Sequence, residues 1–376
     1  MNKDHKVVVA GLGMVPVGEY WTTSIRKMGA ETLRKAVVDA GNLKPDVLYI
    51  GNELGSILSH QANMAALIGM EAGFDGVEAC TFEASGASGA AAFRAACLAV
   101  RSGFVDVAAV LGIEKVTECT GSQAASAYDQ TMNYEYETIN GLTVSSEAAL
   151  LANRYLDEYK LNRDVLMPAV LRAYQAAQNN PYAFFRKGMD ENTFRKAPVS
   201  NPPLCRYDSG MMLDGAAALI LTRADLVPAE ELEKMPVVLG SSSAVDSLSL
   251  HDRHDLLFFS ASSVSAGKAL HEADLDLRKM DIVELSDEFS IDPIIMAESI
   301  GMAHAGEGWN APVCSAMGGC LGRGFPPGAA GAYQLAETVL QLRGDAEKCQ
   351  LSNVHTALVQ TVGGLGVTAI THILAN

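Results

Sequence analysis

Two stretches in which very small residues run straight into a helical pattern constrain this chain most: EASGASGAAAFRAA, from Glu83 to Ala96, and GGCLGRGFPPGAAGAYQ, from Gly318 to Gln334. A helix start presents unpaired backbone N–H groups and the positive end of its dipole, so it can stabilise a thiolate, an oxyanion or a phosphate. Without a Cβ nearby, a ligand or another backbone can come close. Spacing alone leaves two readings of Gly86 and Gly89 open, a ligand-binding turn or tight packing of a buried helix.

The two stretches occupy matching places in a repeated order of elements. In the first half, apolar runs at 6–15, 47–52, 80–83 and 106–112 read as buried strands, and helical patterns cover 23–40, 61–72 and the run ending near Arg101. The pattern restarts after a polar connector at 226–236. Strands are predicted at 237–240, 281–285, 356–363 and 367–374, and helices at 263–273, near 289–300, and after the second small-residue stretch. Alternating strands and helices imply an α/β fold in layers, and the repeated order implies internal duplication. The predicted domains are 1–230, with a loop subdomain inserted at about 117–209 where tyrosine, asparagine and glutamine replace the apolar runs, and 237–376.

Composition narrows the function. The formal charge of −16 argues against nucleic acid or an anionic membrane as partner, since either calls for a basic face. No apolar run is long enough to span a bilayer, and no basic-then-apolar leader opens the sequence, so a cytoplasmic location is expected. The seven cysteines contain no C-x-x-C pair and read as free thiols, with no metal site expected. Near the start, GLG lacks the third glycine of a dinucleotide-binding turn, because position 16 is Pro16. His251 and His254 in HDRHD have metal-like spacing, but a surface or capping role is preferred.

Nine motifs, in order, give the chain a family resemblance: GNELGS (51–56), EASGASGAAAFRAA, GIEKVTE (112–118), NNPYAFFR (179–186), LDGAAALIL (213–221), HDRHD (251–255), ELSDEF (284–289), GGCLGRGFPPGAAGAYQ and VGGLG (362–366). Over essentially its whole length the chain resembles the thiolase superfamily, within it the sterol-carrier-protein-type and archaeal-type thiolases (acetyl-CoA acetyltransferase-like). The resemblance implies a five-layered α/β/α/β/α fold from two halves and a dimer acting on coenzyme A thioesters. No tightly bound cofactor is implied, with the coenzyme A thioester as substrate or ligand. It also implies covalent chemistry: a cysteine thiolate takes the acyl group, histidines move protons, and glycine N–H groups hold the oxyanion.

Carried over position by position, that chemistry is largely missing. The nucleophile position is Gly86. The two second-half histidine positions are Ser286 and Phe325, and a histidine often found before N-P-Y-A is Tyr174. Gly363 and Gly364 of the late oxyanion loop remain. By the same resemblance, Ser265 and Ala266 would line the arm of coenzyme A. Cys97 and Cys80 lie roughly 16 and 20 Å along the chain from position 86, too far to substitute. Cys320 is the one thiol kept as a candidate, and Asp287 and Glu288 form an acidic pair for either proton transfer or structural hydrogen bonding.

The expectation is a thiolase-like subunit of an acyl-CoA C-acyltransferase, supporting a catalytically complete subunit in a homodimer or heterodimer. A small zinc-ribbon and OB-fold protein is a further implied partner. A retro-aldolase acting on β-hydroxyacyl-CoA and a non-catalytic acyl-CoA or lipid carrier are the alternatives.

Overall fold

The computed structural model describes residues 5–312 and 315–376; Cys314, one of the thiols expected to be free, lies outside the described residues. The other six cysteines are free. Nine strands carry the fold: β1 (Val7–Met14), β2 (Val47–Gly51), β3 (Glu78–Phe82), β4 (Val107–Glu114), β5 (Gly215–Arg223), β6 (Val237–Val245), β7 (Ile282–Leu285), β8 (Thr356–Gly363) and β9 (Thr368–Ala375). They form one mixed sheet in the order β3-β2-β4-β5-β1-β6-β9-β8-β7.

That order is two half-sheets joined at an edge. β1 meets β6 through only two residue pairs, Val7 with Val238 and Val8 with Val237. On one side β1 and β4 run antiparallel to β5, and β2 runs parallel to β4. On the other, β6 and β8 run antiparallel to β9, and β7 runs parallel to β8. The second half-sheet therefore repeats the first, except that among the described residues nothing pairs where β3 sits. The near-continuous apolar runs of β1, β4, β5 and β9 follow from burial on both faces.

Helices cover both outer faces and fill the middle. α1 (Ile25–Asp39) and α2 (Met64–Ala72) lie on the outside of the first half-sheet, and α7 (Ser260–Ala273) and α8 (Asp292–Ser299) on the outside of the second. Two central helices lie between the half-sheets: α3 (Ser88–Arg101), which follows the first small-residue turn, and α9 (Ala330–Arg343), which follows the second. α3 touches strands of both half-sheets, as α9 does, so the layers run α/β/α/β/α. The inserted segment carries α4 (Gly121–Tyr128), α5 (Val144–Glu158) and α6 (Met167–Ala177) and shares a hydrophobic core with α7 and α8. No helix among the described residues is long and apolar enough to cross a membrane.

Small residues let the central helices touch backbone to backbone. A Cβ on Gly89 would stand 2.8 Å from the amide nitrogen of Ala332, and one on Gly331 would stand 2.9 Å from that of Ala90. Above them, a Cβ on Gly51 would stand 2.4 Å from the nitrogen of Gly89. The packing reading of Gly89 is therefore correct. Gly89→Ala is expected to lower stability by about 1–3 kcal/mol in denaturant unfolding, since the added methyl meets backbone that cannot turn aside.

Candidate functional site

The turn before α3 is held in a conformation its sequence alone does not announce. Ser85 adopts a left-handed backbone, φ 51°, and its hydroxyl donates to Glu53 Oε1 at 3.1 Å. Ser85 Oγ also accepts from the N–H of Gly364, at 3.1 Å, in the hairpin between β8 and β9. Ser88 closes the turn from inside the helix, accepting from Ala84 N at 2.9 Å and donating to Ser85 O at 2.6 Å. Gly363 lets the hairpin lie against this turn, because a Cβ there would fall 2.0 Å from Ala84 O. Arg253, from HDRHD, fixes the other end of the hairpin by donating to Leu365 O at 2.6 Å. The flanking His251 and His254 are exposed.

A cavity of about 390 Å³ opens at this junction, lined among others by Glu53, Glu83, Ser85, Gly363 and Gly364. No histidine or cysteine is among its described lining residues. Gly86 follows the lining residue Ser85 without lining the cavity itself, and a Cβ on it would approach Val362 O to 3.1 Å and Glu288 Oε2 to 3.9 Å.

The two second-half positions are filled by groups that do structural work. Ser286 lies at the end of β7, and its Oγ accepts from Val362 N at 3.0 Å. Phe325 is buried, with its ring edge-on to Tyr128 at 5.8 Å between centroids. Tyr174 is buried against Phe185 and Tyr207. Cys320 is buried as well, and burial together with the neighbouring Asp287 carboxylate pushes its thiol well above the ordinary range, so it stays protonated. Asp287 accepts from Cys320 N at 2.6 Å and caps the glycine turn there; burial lifts its carboxyl to about 7. The structural alternative for Asp287 is the one its geometry supports.

Ser265 and Ala266 are placed differently from the expectation that they line the coenzyme A arm. Both lie inside α7 against the second half-sheet and are fully buried. Ser265 Oγ shares a 2.9 Å hydrogen bond with Thr371 Oγ1 and accepts from Gln360 Nε2 at 3.2 Å. Neither lines the cavity. Both lie on the face of the helix that packs on β6 and β9.

Two groups not singled out from the sequence join the site. Glu53 follows β2 and lines the cavity, while Tyr128 ends α4 and donates its hydroxyl to Glu288 Oε1. Burial, then the charges of Glu114 and Glu288, raises Glu53 well above the ordinary carboxyl range; burial lifts Glu288 to about 7, against an opposing contribution from the Tyr128 phenol. Tyr128 is itself raised, by burial first and then by Glu288. The loop holding Glu53 is organised by Glu114, at the end of β4. Its Oε2 accepts from the N–H groups of Glu53 at 3.0 Å, Leu54 at 3.1 Å and Gly328 at 3.1 Å. One carboxylate thus ties the first half's site loop to the second half's small-residue stretch.

Comparison with known proteins agrees with this geometry. Residues 7–225 match the family described as thiolase, N-terminal domain, and residues 242–376 match that described as thiolase C-terminal domain-like. The chain belongs to the thiolase family. Among curated relatives of this family of acyltransferases, it is 34% identical to the acetyl-CoA acetyltransferase of Methanothermobacter thermautotrophicus, over 98% of this chain and 99% of that one. It is 27% identical to the benzoylsuccinyl-CoA thiolase subunit BbsB of Thauera aromatica, over 97% and 96%. Among solved structures, the Ltp2-ChsH2(DUF35) aldolase superposes with a TM-score of 0.81 at 19% identity, over 98% of this thiolase-family chain and 97% of that one. At that identity the likeness is one of fold.

The raised carboxyls set a pH dependence. Glu288 and Glu114 titrate near 7 in the folded chain against an ordinary 4.5, so folding takes up protons between these values. Their favourable contribution is complete below about pH 4.5 and is lost as pH rises through about 7. The denaturation midpoint is therefore expected to be higher at pH 5 than at pH 8. Glu288→Gln, which cannot charge, should remove up to about 3 kcal/mol of that difference.

Proposed function

We propose that this chain acts on coenzyme A thioesters in carbon–carbon bond chemistry without carrying an acyl group at its own site. Where acyl transfer is required, the carrier cysteine belongs to a complete thiolase subunit paired with it. The observation that supports this reading most is the joint state of three positions: glycine at 86, a serine at 286 bonded to backbone, and a phenyl ring at 325 packed on Tyr128. A covalent thiolase cycle needs a thiolate and a base beside it. Here position 86 has no side chain, and the groups beside it are carboxyls whose charge opposes a thiolate.

The retained turn supports a thioester ligand: the positive end of the α3 dipole lies behind the turn at Ser85, and Ser85, Gly363 and Gly364 line the cavity where a thioester oxygen would sit. Two names among the similar proteins bear on assembly. BbsB is described as a thiolase subunit, and the Ltp2 structure is titled with a DUF35 partner. A heteromeric assembly in the cytoplasm, with a second thiolase subunit and a small protein of that kind, is the corresponding proposal here. Aldol-type cleavage of a β-hydroxyacyl thioester is a second reading, favoured by the carboxyls beside Gly86, because it needs no acyl carrier.

The purified chain alone is expected to show no thiolysis of acetoacetyl-CoA, and Gly86→Cys alone to gain neither activity nor an acyl adduct by intact-mass measurement. Gly86→Cys combined with Ser286→His and Phe325→His is the smallest change expected to yield an acyl adduct. Native mass spectrometry of the protein isolated from its source should show a second thiolase chain. Thiolysis by the wild-type chain alone, at a rate Gly86→Cys does not improve, would defeat the proposal.

A further inference from the structure

The ionisable groups around Gly86 exceed what a stripped site needs. Glu53 is only 7% exposed and lines the cavity; Ser85 donates to its Oε1, and its Oε2 has no hydrogen-bond partner. Glu288 is 6% exposed and accepts from Tyr128 through Oε1, leaving Oε2 toward position 86. Among the described residues neither carboxyl has a lysine, arginine or histidine within ion-pair distance; the nearby cations are committed elsewhere, Arg323 to Glu337 and Lys115 to Asp214. Burying carboxyls without cations is costly, and an amide or an apolar side chain at either position would relieve that cost. A site serving only as scaffold gains nothing from them.

Glycine at 86 has a role in this arrangement. A Cβ there would press on Val362 O at 3.1 Å and stand between the turn and Glu288 Oε2, 3.9 Å away. Its absence leaves the Glu288 carboxyl facing the place where the family's acyl carrier would stand. Two carboxyls of unlike environment, one held by a phenol and one lining the cavity with a free oxygen, are the parts of an acid and base pair.

We propose that Glu288, positioned by Tyr128, and Glu53 act as base and acid in retro-aldol cleavage of a β-hydroxyacyl thioester bound at the start of α3. This rests on the thioester-binding part of the reading above. The ionised Glu288 takes the proton of the β-hydroxyl. The Cα–Cβ bond breaks, its electron pair passes into the thioester as an enolate, and the β-carbon becomes a ketone or aldehyde. Neutral Glu53 then gives its proton to Cα, releasing the shortened acyl thioester. Glu288 gives up its proton to solvent and Glu53 takes one back from it, which restores both groups. No thiol, water or oxidant is consumed, which suits a site with no acyl carrier. The assignment of roles matches the environments: Glu288 titrates near 7, whereas Glu53 is raised well above its ordinary value and holds its proton.

The test uses the full chain in the complex in which it is isolated. Binding of acetyl-CoA is measured by calorimetry, exchange of its Cα hydrogens for deuterium by mass spectrometry in D2O, and benzaldehyde release from 3-hydroxy-3-phenylpropanoyl-CoA by absorbance, without added coenzyme A. The wild type is expected to bind, to exchange and to release the aldehyde. Glu53→Gln and Glu288→Gln should each lower exchange and release by at least about 100-fold while thioester affinity changes little. Tyr128→Phe should lower release less and shift its pH profile, which loss of packing alone would not do. Failure of the wild type to bind acetyl-CoA overturns the thioester reading itself. Binding with neither exchange nor release, or glutamine variants as active as the wild type, overturns the acid–base proposal and leaves that reading standing.

Discussion

The backbone contact between the two central helices is the constraint on which the rest of this structure depends. Gly89 against Ala332 and Gly331 against Ala90 leave no room for a methyl group. That closeness brings the two small-residue stretches to one place, so the turn at 83–88, the loop at 318–326 and the hairpin at 363–366 share a junction. Glu114 then bonds across it, with N–H groups of both halves on a single carboxylate oxygen. A wider helix contact would separate these loops and leave Glu114 buried with its donors out of reach, at the cost of an unsatisfied carboxyl.

The interior at this junction is acidic, and its carboxyls are treated in three ways. Glu114 and Asp287 are satisfied by backbone N–H groups and act as caps. Glu337 is paired with the buried Arg323 and also accepts from Asn180 at 2.9 Å, which holds the NNPYAFFR loop to the second half. Glu53 and Glu288 have neither arrangement in full. Ser85 donates to one of them and a Cβ on Gly86 would stand 3.9 Å from the other, so the cost of burying carboxyls concentrates at the turn before α3.

Much of the fold was legible because buried strands and glycine-rich helix starts leave local marks. The long apolar runs of β1, β4, β5 and β9 and the helix patterns of α1, α3 and α9 needed no tertiary information. α4 was missed, although Thr120 and Gln123 make a capping box that signals its start; its short polar sequence has little apolar periodicity. With α4 went Tyr128, which reaches Glu288 from 160 residues away in sequence. Glu53 stood in a quoted motif, yet its place in the cavity depends on Glu114 holding its N–H from a neighbouring strand. That Ser265 and Ala266 lie on the sheet side of α7 was not legible, because a helix face cannot be assigned without knowing which side meets the sheet.

By itself, the sequence determined the family, the duplicated order of strands and helices, and the absence of a side chain at position 86, since each is written in local residue types and their spacing. Only the tertiary structure decided what surrounds that position. Gly86 faces a carboxyl held by a distant phenol, beside a second carboxyl with an unused oxygen, and no imidazole lines the cavity among the described residues. Proton affinities are set by burial and by neighbours from other parts of the chain, and those exist only once the two halves have closed on each other.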